Sequence, residues 1–151
     1  MNHASDCSLH NMPAMAPQPC DCHVGKGAWY FGTKSIVAWP EERDGAPGYG
    51  VQYDDGYVSW SPEKTFEAAY QPTTALSFGH AIEAMKSGCA VARAGWNGKG
   101  MWLSIQRPDA YSKMTLPYIF MSTVQNDLVP WLASQTDLLA EDWCIVDMPA
   151  D

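Results

Sequence analysis

The spacing of apolar residues divides the chain into three segments. Residues 1–23 show no hydrophobic period and are interrupted by prolines, which is typical of a flexible tail. Residues 24–72 alternate apolar and polar positions in short runs, which predicts a small β-β-β-α module. Residues 73–151 combine a strongly periodic helix with several short strands, and this part is the best-defined domain of the chain.

The module at residues 24–72 is marked by a turn signal. Asp54-Asp55-Gly56 separates two alternating runs, 49–53 and 57–60, and Asp-Gly favours a hairpin because glycine readily adopts positive φ. A run that begins at Ser35 supplies a third strand. The Ser61-Pro62 pair then predicts a short helix, with the serine as N-cap and the proline in the first helical position.

The pattern in residues 73–151 begins with a helix. Ser77 is placed to cap it, its apolar residues recur at helical spacing, and Gly88 is placed to end it. Four strands, a short helix from Ser134 to about Glu141, and a last strand at 143–146 follow. The order α-β-β-β-β-α-β predicts the α+β class: a small antiparallel sheet with two short helices, preceded by the β-rich module with its one helix.

Charge excludes some partners. Nine basic residues against seventeen acidic residues give a net charge of −8, which argues against duplex nucleic acid and anionic membranes as partners. No apolar run approaches the length of a membrane span, and no secretory leader is visible. An odd number of cysteines, five, does not suit a disulfide scaffold, so the interpretation is a protein of the reducing cytoplasm.

The run Trp96-Asn97-Gly98-Lys99-Gly100 could bind a small anion. Glycines let backbone N–H groups approach a ligand, and successive N–H groups can form an anion-binding nest. Lys99 could pair with a phosphate, and Trp96 could stack on a base or ribose. The run lacks the P-loop spacing, however, and it also fits a tight hairpin loop in which Trp96 is simply packed.

A second candidate run, from Pro130 to Asp137, places Trp131 just before a predicted helix. The N-terminus of a helix carries unpaired N–H groups and a partial positive charge, which favour phosphate. The alternative is that Ser134 and Asp137 only cap the helix.

Metal binding and catalysis have weaker support. Cys7, His10, Cys20 and Cys22 could supply four soft ligands to zinc, but the Cys-x-Cys spacing matches no common zinc module, which favours a disordered tail. His80 is the single histidine outside residues 1–23, and no Ser-His-Asp or Cys-His arrangement is apparent. We therefore expect neither enzymatic activity nor a cofactor.

Four blocks of the sequence together resemble one phage and prophage family, the Thoeris anti-defence proteins of the second type. The resemblance covers residues 76–147, about half of the chain. It departs at His80, where the family often has glutamate. The blocks are Phe78 to Gly88, Ala92 to Met101, Leu116 to Ile119 and Val129 to Trp143.

The resemblance implies a sponge that binds a glycocyclic ADP-ribose signal made by TIR enzymes and holds it without cleaving it in the cytoplasm of the infected bacterial host. Some members also bind cyclic dinucleotides at a separate pocket, and the family assembles as a homotetramer with ligand sites between subunits. The alternative is a phage structural or protein-interaction module with no nucleotide ligand. The ligand-binding residues expected here are Trp96, Asn97, Gly98, Lys99, Trp131, Ser134 and Asp137.

The chemistry of such a ligand suits these residues. Adenine, ribose and pyrophosphate call for aromatic planes, polar side chains and N–H or cationic donors. Lys99, Arg93 and Arg107 are the candidates for the local cations. The segment from Tyr30 to Tyr70 resembles another small phage module, one of unknown function.

Overall fold

A computed structural model describes residues 32–148, which hold two antiparallel sheets and three helices. Residues 35–148 belong to one compact unit. No helix in this part of the chain is long and apolar enough to cross a membrane. In chain order the elements are β1 (Val37–Pro40), β2 (Gly48–Gln52), β3 (Val58–Pro62), α1 (Glu63–Ala69), α2 (Phe78–Lys86), β4 (Ala90–Arg93), β5 (Trp102–Gln106), β6 (Tyr118–Ser122), β7 (Leu128–Pro130), α3 (Gln135–Leu138) and β8 (Trp143–Val146).

The first sheet is a meander in the order β1-β2-β3. The predicted Asp-Gly hairpin joins β2 to β3, and Gly56 has the positive φ of 83° that such a turn requires. Helix α1 packs on β2 and β3. Its Phe66 ring stacks on Tyr49, with the ring centroids 4.2 Å apart, and Val51 of β2 is 1% exposed. The first sheet therefore has a stacked pair of half-buried rings and one fully buried side chain, Val51.

Two tryptophans lie directly on the backbone of β2. A Cβ added to Gly50 would collide with the Trp39 ring, and a Cβ added to Gly48 would collide with the Trp60 ring. Trp39 and Trp60 are the β1 and β3 partners of Gly50 in the ladder. The two glycines therefore make room for indole rings, which explains why this strand tolerates their low β-propensity.

The start of α1 differs from the prediction. Pro62, and not Ser61, occupies the N-cap position, and no side chain caps the helix. The physical reason is the register of the sheet: β3 continues through Pro62, because Ser61 pairs with Tyr49 and Pro62 pairs with Gly48. The predicted capping role of Ser61 was wrong.

The second sheet has the order β7-β6-β5-β4-β8, with every neighbouring pair antiparallel. Helix α2 packs on β4, β5 and β8. The core between them is formed by side chains that are less than 10% exposed: Leu76, Phe78, Ala81, Met85, Val91, Leu103 and Trp143. The α+β class with antiparallel sheets is confirmed.

The limits of α2 agree with its predicted signals. The Ser77 hydroxyl accepts a 3.4 Å hydrogen bond from the His80 N–H, which satisfies one free donor of the first turn. Gly88 follows the C-cap residue with a φ of 97°. The predicted cap and stop residues are therefore confirmed.

Helix α3 is shorter than predicted, since it ends at Leu138 and not near Glu141. The domain boundaries predicted from the sequence, at residues 23 and 72, stay predictions. The two sheets lie on either side of residue 72. The tail at 1–23 and the zinc candidates Cys7, His10, Cys20 and Cys22 lie outside the described residues.

Candidate functional site

Arg93, the last residue of β4, lies at the centre of the candidate site. Its Nε donates a 2.8 Å hydrogen bond to Asp142 Oδ1, and its Nη1 donates a 2.9 Å bond to Asp137 Oδ1. The Arg93 side chain is 15% exposed. A guanidinium so enclosed between two carboxylates has its charge neutralised within the fold.

Asp142 also holds the start of the glycine-rich loop. Its Oδ2 accepts a 2.7 Å hydrogen bond from the Gly95 N–H. A Cβ on Gly95 would lie 2.7 Å from the same oxygen, so only glycine fits there without displacing the carboxylate. The Arg93 carbonyl accepts a further 3.3 Å bond from the Trp96 N–H, which closes a turn.

Trp96 joins the loop to the segment that opens α3. Its indole Nε1 donates a 3.2 Å hydrogen bond to Asp137 Oδ1. Its ring packs edge-on against the fully buried Trp143, with centroids 5.5 Å apart. The one hydrogen-bond donor of the Trp96 side chain, its N–H, therefore already has a partner within the protein.

Ser134 and Asp137 form a closed capping pair. The Asp137 N–H donates to the Ser134 hydroxyl over 3.1 Å, and this hydroxyl donates to Asp137 Oδ2 over 2.7 Å. Both carboxylate oxygens of Asp137 therefore have partners inside the protein. The capping alternative raised from the sequence describes these contacts, and any contact with a ligand would be additional to them.

Trp131 lies against the same aromatic cluster. Its ring centroid is 5.9 Å from that of Phe78 and 6.1 Å from that of Trp143. It also lines a cavity of about 450 Å³, whose other walls come from β6, β7 and the loop before β6. The remaining lining residues are Met114, Thr115, Leu116, Pro117, Tyr118, Ile119 and Pro130.

Asn97 and Lys99 are exposed, and they carry the polar side chains of the loop. Neither has a hydrogen bond or ion pair to another described residue. Gly98 lies close to neighbouring side chains, since a Cβ there would be 2.6 Å from Val124 Cγ2 and 2.8 Å from Met101 Cε. The structure thus brings Trp96, Ser134 and Asp137 into one network and leaves Asn97 and Lys99 open to solvent.

The ionisation of the two carboxylates follows from these contacts. Hydrogen bonding from Arg93 is the main cause that lowers the pKa of Asp142 below its ordinary value, and the Gly95 N–H lowers it further. Desolvation would raise the pKa of Asp137, but hydrogen bonds from Ser134, Arg93 and Trp96 outweigh it, and the pKa is lowered. Both side chains are therefore carboxylates at neutral pH.

Sequence reasoning missed the role of Asp142 and gave Arg93 a different one. The available signal was a single arginine at the end of the apolar strand Ala90–Arg93, since a cation next to a core needs an acidic partner. Arg107, the other proposed cation, donates a 2.8 Å bond to the Lys86 carbonyl and lies outside this network. Of the three cation candidates, Lys99 is the one that has neither a hydrogen bond nor an ion pair to a described residue, since Arg93 has both and Arg107 has a hydrogen bond.

Comparison with known proteins assigns the domain that holds this network. Residues 76–146 match the family model of the Thoeris anti-defense 2-like domain. A protein of Bacillus phage SP01, Thoeris anti-defense 2, is 42% identical over 86 residues, which cover 48% of this chain and 97% of the relative. The chain belongs to the Thoeris anti-defence 2 family. Every residue of the network, from Arg93 to Asp142, lies within the part that matches the Thoeris anti-defence 2 family.

Family membership agrees with the resemblance stated from the sequence, and the predicted family is confirmed. The match spans almost the whole relative, so a complete Thoeris anti-defence 2 domain is present. The first sheet and α1, which end at Ala69, precede the matched residues and are additional to that domain.

Proposed function

We propose that the protein is a phage sponge that binds a glycocyclic ADP-ribose immune signal, holds it without cleaving it and so withholds it from the Thoeris effector. The anti-defence role comes from the family. Sequestration in the cytoplasm of the infected host is the mechanism that we propose for it. A sponge needs affinity and no reacting group, so the bound nucleotide leaves the protein unaltered.

The observation that carries the proposal is the junction of the two predicted binding runs. Trp96 and Asp137, which lie 41 residues apart, are joined by a hydrogen bond, and this junction brings the loop that carries Asn97 and Lys99 to the segment that follows Trp131. A ligand the size of a cyclic dinucleotide or cyclic ADP-ribose needs contacts from more than one segment. The junction brings two such segments together through hydrogen bonds to Asp137.

The exposed groups suit the parts of such a ligand. The Lys99 ammonium would pair with the pyrophosphate, because it is exposed and has neither a hydrogen bond nor an ion pair to a described residue. The Asn97 amide would bond to ribose hydroxyls. Trp96 and Trp131 would offer the ring faces that the core does not cover to the adenine.

Exposed apolar side chains support the proposal further. Large apolar side chains of the matched domain are exposed in the single chain, among them Leu132 at 92%, Leu139 at 79% and Leu116 at 74%. Exposed apolar surface of this kind is typical of subunit interfaces. We propose the homotetramer implied by the family resemblance, with ligand sites between subunits and a separate pocket for cyclic dinucleotides.

Titration calorimetry of the full chain with glycocyclic ADP-ribose, followed by heat denaturation and chromatography of the released nucleotide, tests the proposal. A sponge binds with a sub-micromolar Kd, which corresponds to a free energy of binding of about −8 to −12 kcal/mol. It releases unaltered ligand on denaturation. Altered ligand after release would indicate an enzyme, and the absence of binding would contradict the sponge.

The same exposed leucines favour a second candidate, a phage structural or protein-interaction module with no nucleotide ligand. It predicts that Trp96→Ala changes the oligomeric mass in light scattering. The sponge predicts that this variant weakens nucleotide binding at unchanged mass. Parallel measurement of both quantities separates the two functions.

A further inference from the structure

We propose that Arg93 and Asp142 are positioning residues of the ligand site, which hold the Gly95–Gly100 loop in place and do not themselves bind the nucleotide. The part of this inference that concerns ligand affinity rests on the proposed function. The part that concerns order in the loop does not depend on any ligand.

The contacts of Arg93 leave little of it for a phosphate. Three of its nitrogens donate to carboxylates: Nε and Nη2 to Asp142, over 2.8 and 3.4 Å, and Nη1 to Asp137 over 2.9 Å. A phosphate could gain this arginine only by displacing a carboxylate from a side chain that is 15% exposed. Asp137, Asp142 and Arg93 together also carry a net negative charge, because two carboxylates face one guanidinium. This net charge repels an anion.

Asp142 connects this ion pair to the loop backbone. Its Oδ1 binds Arg93, while its Oδ2 accepts the Gly95 N–H over 2.7 Å. Trp96 follows directly and is fixed by Asp137, the second carboxylate on the same arginine. The backbone and the side chain at the start of the loop are thus both held through Arg93.

The consequence for binding is preorganisation. A loop that is ordered before the ligand arrives loses less conformational entropy on binding, so a larger part of the interaction energy appears as affinity. Asn97 and Lys99 have no hydrogen bond or ion pair to a described residue, so their positions depend on the other residues of the loop. Arg93 and Asp142 would therefore control affinity without contact with the ligand.

The positioning role predicts that the removal of a negative charge from Asp142 weakens the binding of an anion. If only net charge mattered, Asp142→Asn would strengthen the binding of an anion, because it removes one negative charge near the site. If Asp142 positions the loop, the same variant weakens binding, by about tenfold. Glu141→Gln is the matched control, since it removes the same charge from the neighbouring exposed residue, which has no hydrogen bond or ion pair to a described residue.

The experiment compares the full chain, Asp142→Asn and Glu141→Gln by titration with glycocyclic ADP-ribose, and by hydrogen exchange of the Gly95 and Trp96 amides without ligand, since these two N–H groups of the loop are hydrogen-bonded. We expect weaker binding and faster exchange in this loop for Asp142→Asn alone. Unchanged or stronger binding together with unchanged exchange would overturn the positioning role. If the unmodified chain does not bind the nucleotide, the proposed function fails, and the exchange data alone decide whether the loop is held by Asp142.

Arg93→Lys is the second variant, and it keeps the charge while it loses the fork that joins two carboxylates. If Arg93 positions the loop, Arg93→Lys should also show faster hydrogen exchange in the loop and an affinity for the nucleotide about tenfold lower. A phosphate-binding arginine would instead keep slow exchange and most of its affinity as lysine. This result would overturn the proposal even if Asp142→Asn failed to fold.

Discussion

The indole Nε1 of Trp96 donates a 3.2 Å hydrogen bond to Oδ1 of Asp137, which lies 41 residues further along the chain. The two residues were predicted as separate contributors to a binding site. The bond shows that they are structural partners as well, because the acceptor oxygen is shared with Arg93. Their substitution therefore changes the protein before any ligand is added.

Trp96→Phe tests this bond. Phenylalanine keeps an aromatic ring against Trp143 but leaves Asp137 without the indole donor, so we expect a loss of about 1–2 kcal/mol in the free energy of unfolding. Trp102→Phe is the control, since the Trp102 ring contacts Phe120 and its indole has no hydrogen bond to a described residue. Urea denaturation of both variants gives the comparison, and equal losses would contradict the role of the bond.

Local pattern was enough to predict α2, the Asp-Gly hairpin and the α+β class, because the signals lie within a few residues of each other. Ser77, Gly88 and Gly56 each have the conformation that their residue type favours. The start of α1 was predicted wrongly at Ser61 because pairing between β2 and β3 extends the strand past a good capping sequence. Tertiary pairing of this kind overrides local propensity.

The network around Arg93 could not be predicted in the same way. Arg93 and Asp142 are 49 residues apart, and their contact depends on β4 and β8 becoming neighbours in the sheet. The sequence shows that a charged residue ends an apolar strand, but not which carboxylate meets it. For this reason Asp142 was not among the predicted site residues, and Arg93 was considered only as a local cation for the ligand.

Gly50→Ala tests the close packing of tryptophan on β2. The new methyl group would collide with the Trp39 ring and would approach Glu41 Oε2, which Trp39 itself binds. We expect a loss of about 2–3 kcal/mol, since the Trp39 ring and the Glu41 carboxylate that it binds would both have to move. Gly79→Ala is the matched control, because its methyl would lie 3.7 Å from the nearest atom, the Ser77 hydroxyl, and should stabilise the helix by about 0.5 kcal/mol. Thermal unfolding that shifted equally in both variants would contradict this explanation.

Stability should depend on pH through Asp137 and Asp142. The pKa of each is lowered in the folded state from an ordinary value of 3.8, so both favour folding above that pH. Their contribution is lost as the pH falls through the depressed folded values. Arg93→Met removes the main charged partner and should cost about 2–3 kcal/mol at pH 7, with a smaller cost near pH 3.

Chemical denaturation of the unmodified chain and Arg93→Met at pH 7, 5 and 3 measures this difference. Asp109, whose pKa is lowered chiefly by the Tyr111 N–H, is unchanged in both proteins, so its contribution cancels. Lys86→Met is the control, because its 2.7 Å ion pair with Glu83 is exposed and should contribute less than about 1 kcal/mol. A cost of Arg93→Met that is the same at all three pH values would contradict the assignment.

Lys99→Ala tests whether the exposed lysine of the glycine-rich loop binds the ligand. Since Lys99 is exposed and has no ion pair with a described residue, its loss should leave the free energy of unfolding within about 0.5 kcal/mol of the original. If Lys99 pairs with the pyrophosphate, affinity for glycocyclic ADP-ribose should fall about tenfold, and the variant should lose part of the salt dependence of binding. Lys113→Ala, at a second exposed lysine without an ion pair to a described residue, should change neither quantity. Titration at low and high salt separates the two lysines, and equal affinities for both variants would exclude Lys99 as the phosphate-binding cation.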